Sequence, residues 1–190
     1  MKYINDKLFK NEDFTKKEIL KAEYEYCTFQ NCNFSNSDLS KIRFMESEFI
    51  DCNLSNVKLY STSFQEVRMV KCKMLGLYFD TCNDFNFSID FDTCVLNHSV
   101  FYQTKLNNTT FNHCQLRGVD FSEANLKTTI LFNCDLLEAI FDSTNLEKAD
   151  LRKSKNYRIN PENNLMNGAK LSIPEVLHLL DKYNLDIEMT

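Results

Sequence analysis

Residues 27–54 read CTFQNCNFSNSDLSKIRFMESEFIDCNL, and the spacing of their large apolar residues decides the fold. Phe29, Phe34, Leu39, Phe44, Phe49 and Leu54 fall five apart, with polar residues between them. Followed outward, the same step runs unbroken from Phe9 to Phe79, and all fifteen positions are large and apolar. A second run, two residues out of phase, occupies thirteen positions from Phe91 to Leu151, again all apolar. Thirteen of the sixteen phenylalanines stand on this lattice, so the period governs where the aromatic residues sit.

A period of five matches neither the 3.6-residue helix nor the two-residue strand. It requires a unit that sends one large side chain inward and then turns a corner. The residue two before each large one is usually small, as at Ala22, Cys27, Cys32, Ser37, Cys94, Ser99 and Thr104. Positions two apart in an extended segment share a side, so the small residue also points inward. The other three positions hold most of the Asn, Asp, Lys, Glu and Ser and face water. Cys32, Cys52 and Cys72 are twenty residues apart, as are Cys94, Cys114 and Cys134. The step from Cys72 to Cys94 is twenty-two, one period plus the slip. Four pentapeptides per turn describe a four-sided coil whose turns stack about 4.8 Å apart, giving about seven coils and a rod about 35 Å long. Each buried Phe or Leu contributes on the order of 1.5–3 kcal/mol. Each coil touches only its neighbours, so the two ends need cover.

The triplets Ala124-Asn125-Leu126, Ala149-Asp150-Leu151, Cys32-Asn33-Phe34 and Cys52-Asn53-Leu54 repeat one pattern: small, Asn or Asp, then Leu or Phe. In this the chain resembles the pentapeptide-repeat family over residues 5–155. The resemblance implies an all-β fold, a right-handed quadrilateral β-helix, here occupying residues 1–155 with the two-residue slip within 80–90. In the slip, Phe85, Phe87, Ile89 and Phe91 alternate as an extended segment would. Two extra residues are too few for a projecting recognition loop, so the expectation is a bulge. Residues 156–190 read as a linker followed by a short helix and strand. Ser172 and Glu175 have capping-box spacing, Pro174 suits a first helical turn, and Val176, Leu177, Leu179, Leu180 and Tyr183 form an apolar stripe. Leu185 and Ile187 alternate with acids as in a strand. The helix is expected to cover the last coil through the Val176/Leu180 and Leu179/Tyr183 rows. Similarity to Qnr-type quinolone-resistance proteins implies a second role, joining two rods end to end. Leu177, Leu185 and Ile187 are then the candidate contacts of a homodimer.

Little in the chain suggests catalysis. All eight cysteines fall in the small inward slot, Cys82 included if the first run is extended by one step, and none forms a CxxC pair. His98 and His113 are fifteen residues apart and belong to different sides, while His178 lies on the terminal helix. No catalytic triad, phosphate-cradling glycine loop or paired carboxylates emerge, and a lumen filled with Phe and Leu leaves no pocket. The reading is a non-enzymatic protein without metal or cofactor. The net charge of −5, with no basic run longer than Lys16-Lys17, disfavours direct nucleic-acid binding. No signal-peptide core and no membrane-length apolar run are present, which points to the cytoplasm and reduced thiols.

Two outward features remain. Tyr60, Leu75, Tyr78, Val95, Val100, Tyr102, Leu137 and Ile140 fall on two adjacent columns and form a candidate partner surface, with the folded-back tail as the competing occupant. Glu46, Glu48, Asp51, Glu66, Asp84, Asp90 and Asp92 form a candidate acidic edge. The Qnr resemblance implies an acidic rod that imitates duplex DNA and engages DNA gyrase, a type II topoisomerase. This chain is only modestly acidic and lacks long inserted loops. The alternative is a scaffold of the same fold with an unrelated protein partner.

Overall fold

The computed structural model describes residues 2–188, and its building block is the corner. The residue two after nearly every large apolar one has a left-handed backbone: Asn31 (φ 54°), Asn36 (58°), Lys41 (63°), Glu46 (44°) and Asp51 (53°) are successive examples, and those after Phe14, Ile19 and Phe79 are the exceptions. For a residue with a Cβ this costs about 1–2 kcal/mol. Hydrogen bonds to the coils above and below offset the cost. Two kinds of corner result. After Phe34 and Leu39 the chain closes a turn, Ser37 N donating to Phe34 O (2.9 Å) and Ile42 N to Leu39 O (3.1 Å). Positive φ at the third residue makes this a type II turn. Around Phe29 and Phe44 the backbone instead runs as short parallel strands, Thr28–Gln30 and Arg43–Met45.

These corners make a four-sided rod, whose sides are named here A to D in chain order. Side A is a seven-stranded parallel sheet of β2 (Leu8–Lys10), β4 (Thr28–Gln30), β6 (Glu48–Ile50), β8 (Val67–Val70), β9 (Ile89–Asp92), β10 (Thr110–Asn112) and β11 (Ile130–Phe132). Side D begins as a four-stranded sheet of β1 (Lys2–Asn5), β3 (Ala22–Glu25), β5 (Arg43–Met45) and β7 (Ser63–Gln65). Sides B and C are held by single parallel bridges, such as Asn33↔Asn53 on B and Tyr78↔Val100 on C. The register repeats every twenty residues, Phe29 opposite Phe49, except that Met69 stands opposite Phe91.

The inward slots fill the lumen. Phe29, Phe44, Phe101 and Phe121 are fully buried, and rings of successive coils stack, Phe29 on Phe49 at 4.7 Å and Phe79 on Phe101 at 4.4 Å. Cys32, Cys52, Cys72, Cys94, Cys114 and Cys134 stand buried in the small slots, their thiols donating weakly to carbonyls of the coil before, as Cys52 Sγ does to Phe29 O at 3.3 Å.

The slip changes which side carries the rings. Side D presents Tyr24, Phe44 and Phe64 before it and Leu106, Leu126 and Leu146 after it. Side C presents Leu39 and Leu59 before it, Phe79 where it begins, and Phe101, Phe121 and Phe141 after it. The extra residues lie on side D, between the 3₁₀ turn Phe79–Thr81 and β9. The expected alternation from Phe85 to Phe91 is not formed as such. Asn86 has φ 52°, so the chain turns there; Phe85 is exposed, Phe87 is half-buried edge-on to Phe64, and only Ile89 and Phe91 are fully inward. Cys82 is likewise only half-buried.

The coil also continues past residue 155, where a linker was expected. Asn145 bridges Leu165 and Asp150 bridges Lys170, while Tyr157 and Ile159 are buried. The five-residue step hides this turn because Tyr157 and Ile159 leave the period, which Met166 and Leu171, both half-buried against the core, then rejoin. Asn164 takes the small slot, its amide donating to Phe141 O (3.1 Å) and Asn160 O (2.9 Å).

A 3₁₀ helix, Glu175–Tyr183, closes this end. Its expected capping box is not formed, because both members serve the last coil: Glu175 Oε2 accepts Asn156 N at 2.8 Å and Ser172 Oγ accepts Lys153 N at 3.4 Å. Of the two apolar rows, Leu179 packs on the core, whereas Leu180 and Tyr183 are exposed. Asn184 turns left-handed (φ 47°), and residues 185–188 form no strand, contrary to the pattern of Leu185 and Ile187. At the opposite end β1 and β2 are sheet edges. There the Lys7 ammonium lies 4.9 Å from the Phe9 ring and that of Lys17 5.6 Å from Phe14, cations placed over otherwise bare rings.

Candidate partner-binding surfaces

The side chains that could meet a partner are those just before and after each large inward residue. Tyr78, Val100, Asp120 and Ile140 form one ladder on side C, and Lys73, Val95, Gln115 and Asp135 form the neighbouring ladder on side B. Tyr60 and Tyr102 flank the first ladder, Leu75 and Leu137 the second. The two predicted columns are therefore adjacent. Tyr60, Tyr78, Tyr102, Leu137 and Ile140 are exposed, and Leu75, Val95 and Val100 half-buried. Asp120 and Gln115 separate Leu137 and Ile140 from the rest. The tail does not cover these columns. It lies against the rod's end, where Tyr183 OH donates to Glu162 (2.8 Å) and Arg158 reaches Asp181 (3.6 Å).

The predicted acidic edge is less uniform than its sequence suggests. Glu48, Asp90 and Asp92 lie on side A, with Glu46 and Glu66 on its corner with side D. Arg68 stands among them, 3.6 Å from Glu48 and 3.6 Å from Asp92. Glu46 accepts Tyr26 OH at 2.8 Å. Asp51 is on the far corner of side A. Asp84 belongs to side D, where Lys105 bonds it at 2.9 Å and holds its carboxyl below the ordinary value.

Sequence reasoning missed a second group of acids. Asp80, Asp120, Glu123 and Asp142 lie on side C, interleaved with the aromatic residues. The signal was available, since the same columns that hold Tyr78, Val100 and Tyr102 hold Asp80, Asp120 and Asp142, with Glu123 on the adjoining corner beside Gln103. Asp120 accepts Ser122 N (2.8 Å), Glu123 accepts Tyr102 OH (3.0 Å) and Gln103 Nε2 (2.7 Å), and Asp142 accepts Asn163 Nδ2 (3.5 Å). These partners are all neutral. Burial pushes the Asp80 carboxyl above its ordinary value, with the charge of Asp120 adding to the effect. The most buried ion pair is instead structural: Arg117 grips Asp135 through Nε (2.9 Å) and Nη2 (2.6 Å), and Asn156 Nδ2 donates at 2.7 Å. Burial raises the Asp135 carboxyl, but the bonds from Asn156 and Arg117 outweigh it, and the net effect is a lowered pKa.

The family model for pentapeptide repeats matches in eight copies over residues 27–65, 89–122 and 120–155, more than half of the chain. The chain belongs to the pentapeptide-repeat family. The matched blocks stop on either side of the slip, where the ring columns change sides. The right-handed quadrilateral β-helix that the repeat implies is the fold observed. A trypsin-treated variant of QnrB1, a plasmid-mediated fluoroquinolone resistance protein, is similar over 98% of both chains at 16% identity and a TM-score of 0.64. HetL, a pentapeptide-repeat protein involved in heterocyst differentiation regulation in the cyanobacterium Nostoc sp. strain PCC 7120, is similar over 88% of this chain and 84% of its own, at 18% identity and a TM-score of 0.56. At these identities the likeness is one of fold. No curated protein matches the sequence. Among the described residues, no helix is long and apolar enough to cross a membrane.

Proposed function

We propose that this pentapeptide-repeat protein is a non-enzymatic, cytoplasmic binding rod that engages a type II topoisomerase, DNA gyrase foremost, by presenting an acidic rod in place of duplex DNA. The observation that carries the reading is the end-to-end likeness to the QnrB1 variant, 98% of each chain. A lumen packed with side chains agrees with a protein that acts through its outside. Duplex DNA carries a charge about every 1.7 Å of its axis. A rod of net charge −5 is far sparser, so recognition depends on a few placed carboxylates. The rod is further proposed to pair through its C-terminal end. Leu185 and Ile187 are exposed there, as are Leu165, Ile173 and Leu180, and Leu177 is half-buried. A two-fold contact is the commonest way to cover such a patch.

A gyrase supercoiling assay with and without a quinolone, over a titration of the protein, tests the reading. Restored supercoiling in the presence of drug supports it. Drug inhibition unchanged even at large molar excess of the protein rejects it. A scaffold with another protein partner is the second reading, favoured by the comparable likeness to HetL, a regulator of a different process.

A further inference from the structure

Between residues 78 and 143 the outward positions of side C hold four carboxylates and no Lys or Arg. On side A the corresponding acids share Arg68, and on side D Asp84 is taken by Lys105. Over residues 78–143 side C thus differs from sides A and D in that the groups bonded to its carboxylates are neutral.

The same side has shape. Tyr60 and Tyr78, both more than half exposed, wall a recess of about 380 Å³ with Val57, Leu59 and Gly76; Lys58 also lines it, so this recess lies outside the cation-free stretch. A second recess, about 480 Å³, opens where the slip begins and is lined by Phe79, Asp80, Cys82, Phe87 and Tyr102, with the Lys105–Asp84 ion pair along its side D edge, where the ammonium is already neutralised. It exists because the two extra residues carry the chain off side D while the ring column crosses to side C. A carboxylate beside aromatic rings suits a guanidinium, which can bond the acid in its plane and lie over the ring face. Asp80 and Asp142 are three coils apart, about 14 Å at the strand spacing, which is about nine residues of helix.

We infer that side C, from Tyr78 to Asp142, is the docking face, and that its occupant is a short arginine-bearing segment of a partner protein, one guanidinium seated between Asp80 and Tyr102 and another against Asp120 and Glu123. This rests on the binding-rod reading but not on gyrase being the partner.

A fluorescein-labelled nona-arginine peptide, followed by anisotropy against the full-length protein at about 0.15 M salt to screen distant charges, tests the inference. One variant combines Asp80→Asn, Asp120→Asn, Glu123→Gln and Asp142→Asn. The fold should tolerate it, because Asn33, Asn53, Asn125 and Asn145 make the same turn contact that Asp120 makes. The control removes as many charges elsewhere, through Glu46→Gln, Glu48→Gln, Asp51→Asn and Glu66→Gln. Wild type should bind, the side C variant should bind at least about tenfold more weakly, and the control should stay within about twofold. Tyr102→Ala, which leaves every charge in place, should weaken binding about threefold. Equal losses in the two quadruple variants, or no binding by wild type, overturn the inference. Gyrase is tested in the same format. A protein that binds the peptide through side C yet ignores gyrase refutes the gyrase reading and sustains this one.

Discussion

Phe101→Ala removes one ring from the middle of the lumen. That ring is sandwiched between Phe79 (4.4 Å) and Phe121 (5.4 Å) and meets the edges of Phe91 (6.1 Å) and Phe111 (5.9 Å). Loss of a buried Phe costs about 3–5 kcal/mol, the higher figures belonging to sites that cannot collapse into the cavity. This site cannot readily collapse, because its backbone is tied both ways: Phe101 N donates to Asp120 O (2.8 Å) and Val100 N to Leu77 O (2.7 Å). The upper half of the range, about 4–5 kcal/mol, is therefore expected. Phe9→Ala is the internal reference. Phe9 stacks on one ring, Phe29, meets the edge of Tyr24 and is only half-buried, so about 1–2 kcal/mol is expected. Urea unfolding followed by far-UV circular dichroism compares the two. If Phe101→Ala costs no more than Phe9→Ala, the stacked lumen is not what stabilises the rod.

Cys114→Ser should cost less than about 1 kcal/mol in the same assay, because a hydroxyl can make the carbonyl contacts of the thiol; Ser154 already does so one coil beyond Cys134, donating to Leu131 O at 2.7 Å. The Asp135 carboxyl, lowered in the folded state, stabilises the protein above the ordinary value of 3.8, and this contribution is lost as pH falls through the folded value. Urea midpoints of Asp135→Asn should accordingly fall less steeply than those of wild type between about pH 5 and pH 2; parallel curves would remove Asp135 from the account. Leu185→Asp combined with Ile187→Asp should give a monomer by light scattering with unchanged unfolding, and a persistent dimer would move the interface elsewhere.

The lattice was legible because a closed coil forces one large and one small side chain inward at every corner, and no other arrangement demands five-residue spacing from Phe9 to Phe79. Its limits were physical too. The turn containing Tyr157 and Ile159 was unreadable because those residues bury themselves off the step. Phe85 to Phe91 looked extended because alternation cannot report the positive φ of Asn86. Ser172 and Glu175 had capping-box spacing, but the unpaired backbone N–H groups of Lys153 and Asn156 competed for them and won. Tyr60, Tyr78 and Tyr102 were placed on the correct columns. The acids beside them stand apart in sequence, since the coil assembles Asp80, Asp120 and Asp142 from residues up to sixty-two apart, whereas the acids from Glu46 to Asp92 crowd one half of the chain.

Competition between the rod and duplex DNA for gyrase tests the central claim most directly. With gyrase immobilised, the protein should bind, and linear duplex DNA should displace it progressively as its concentration rises, since both occupy one basic surface. Absence of binding, or binding that saturating DNA leaves unchanged, would contradict the account.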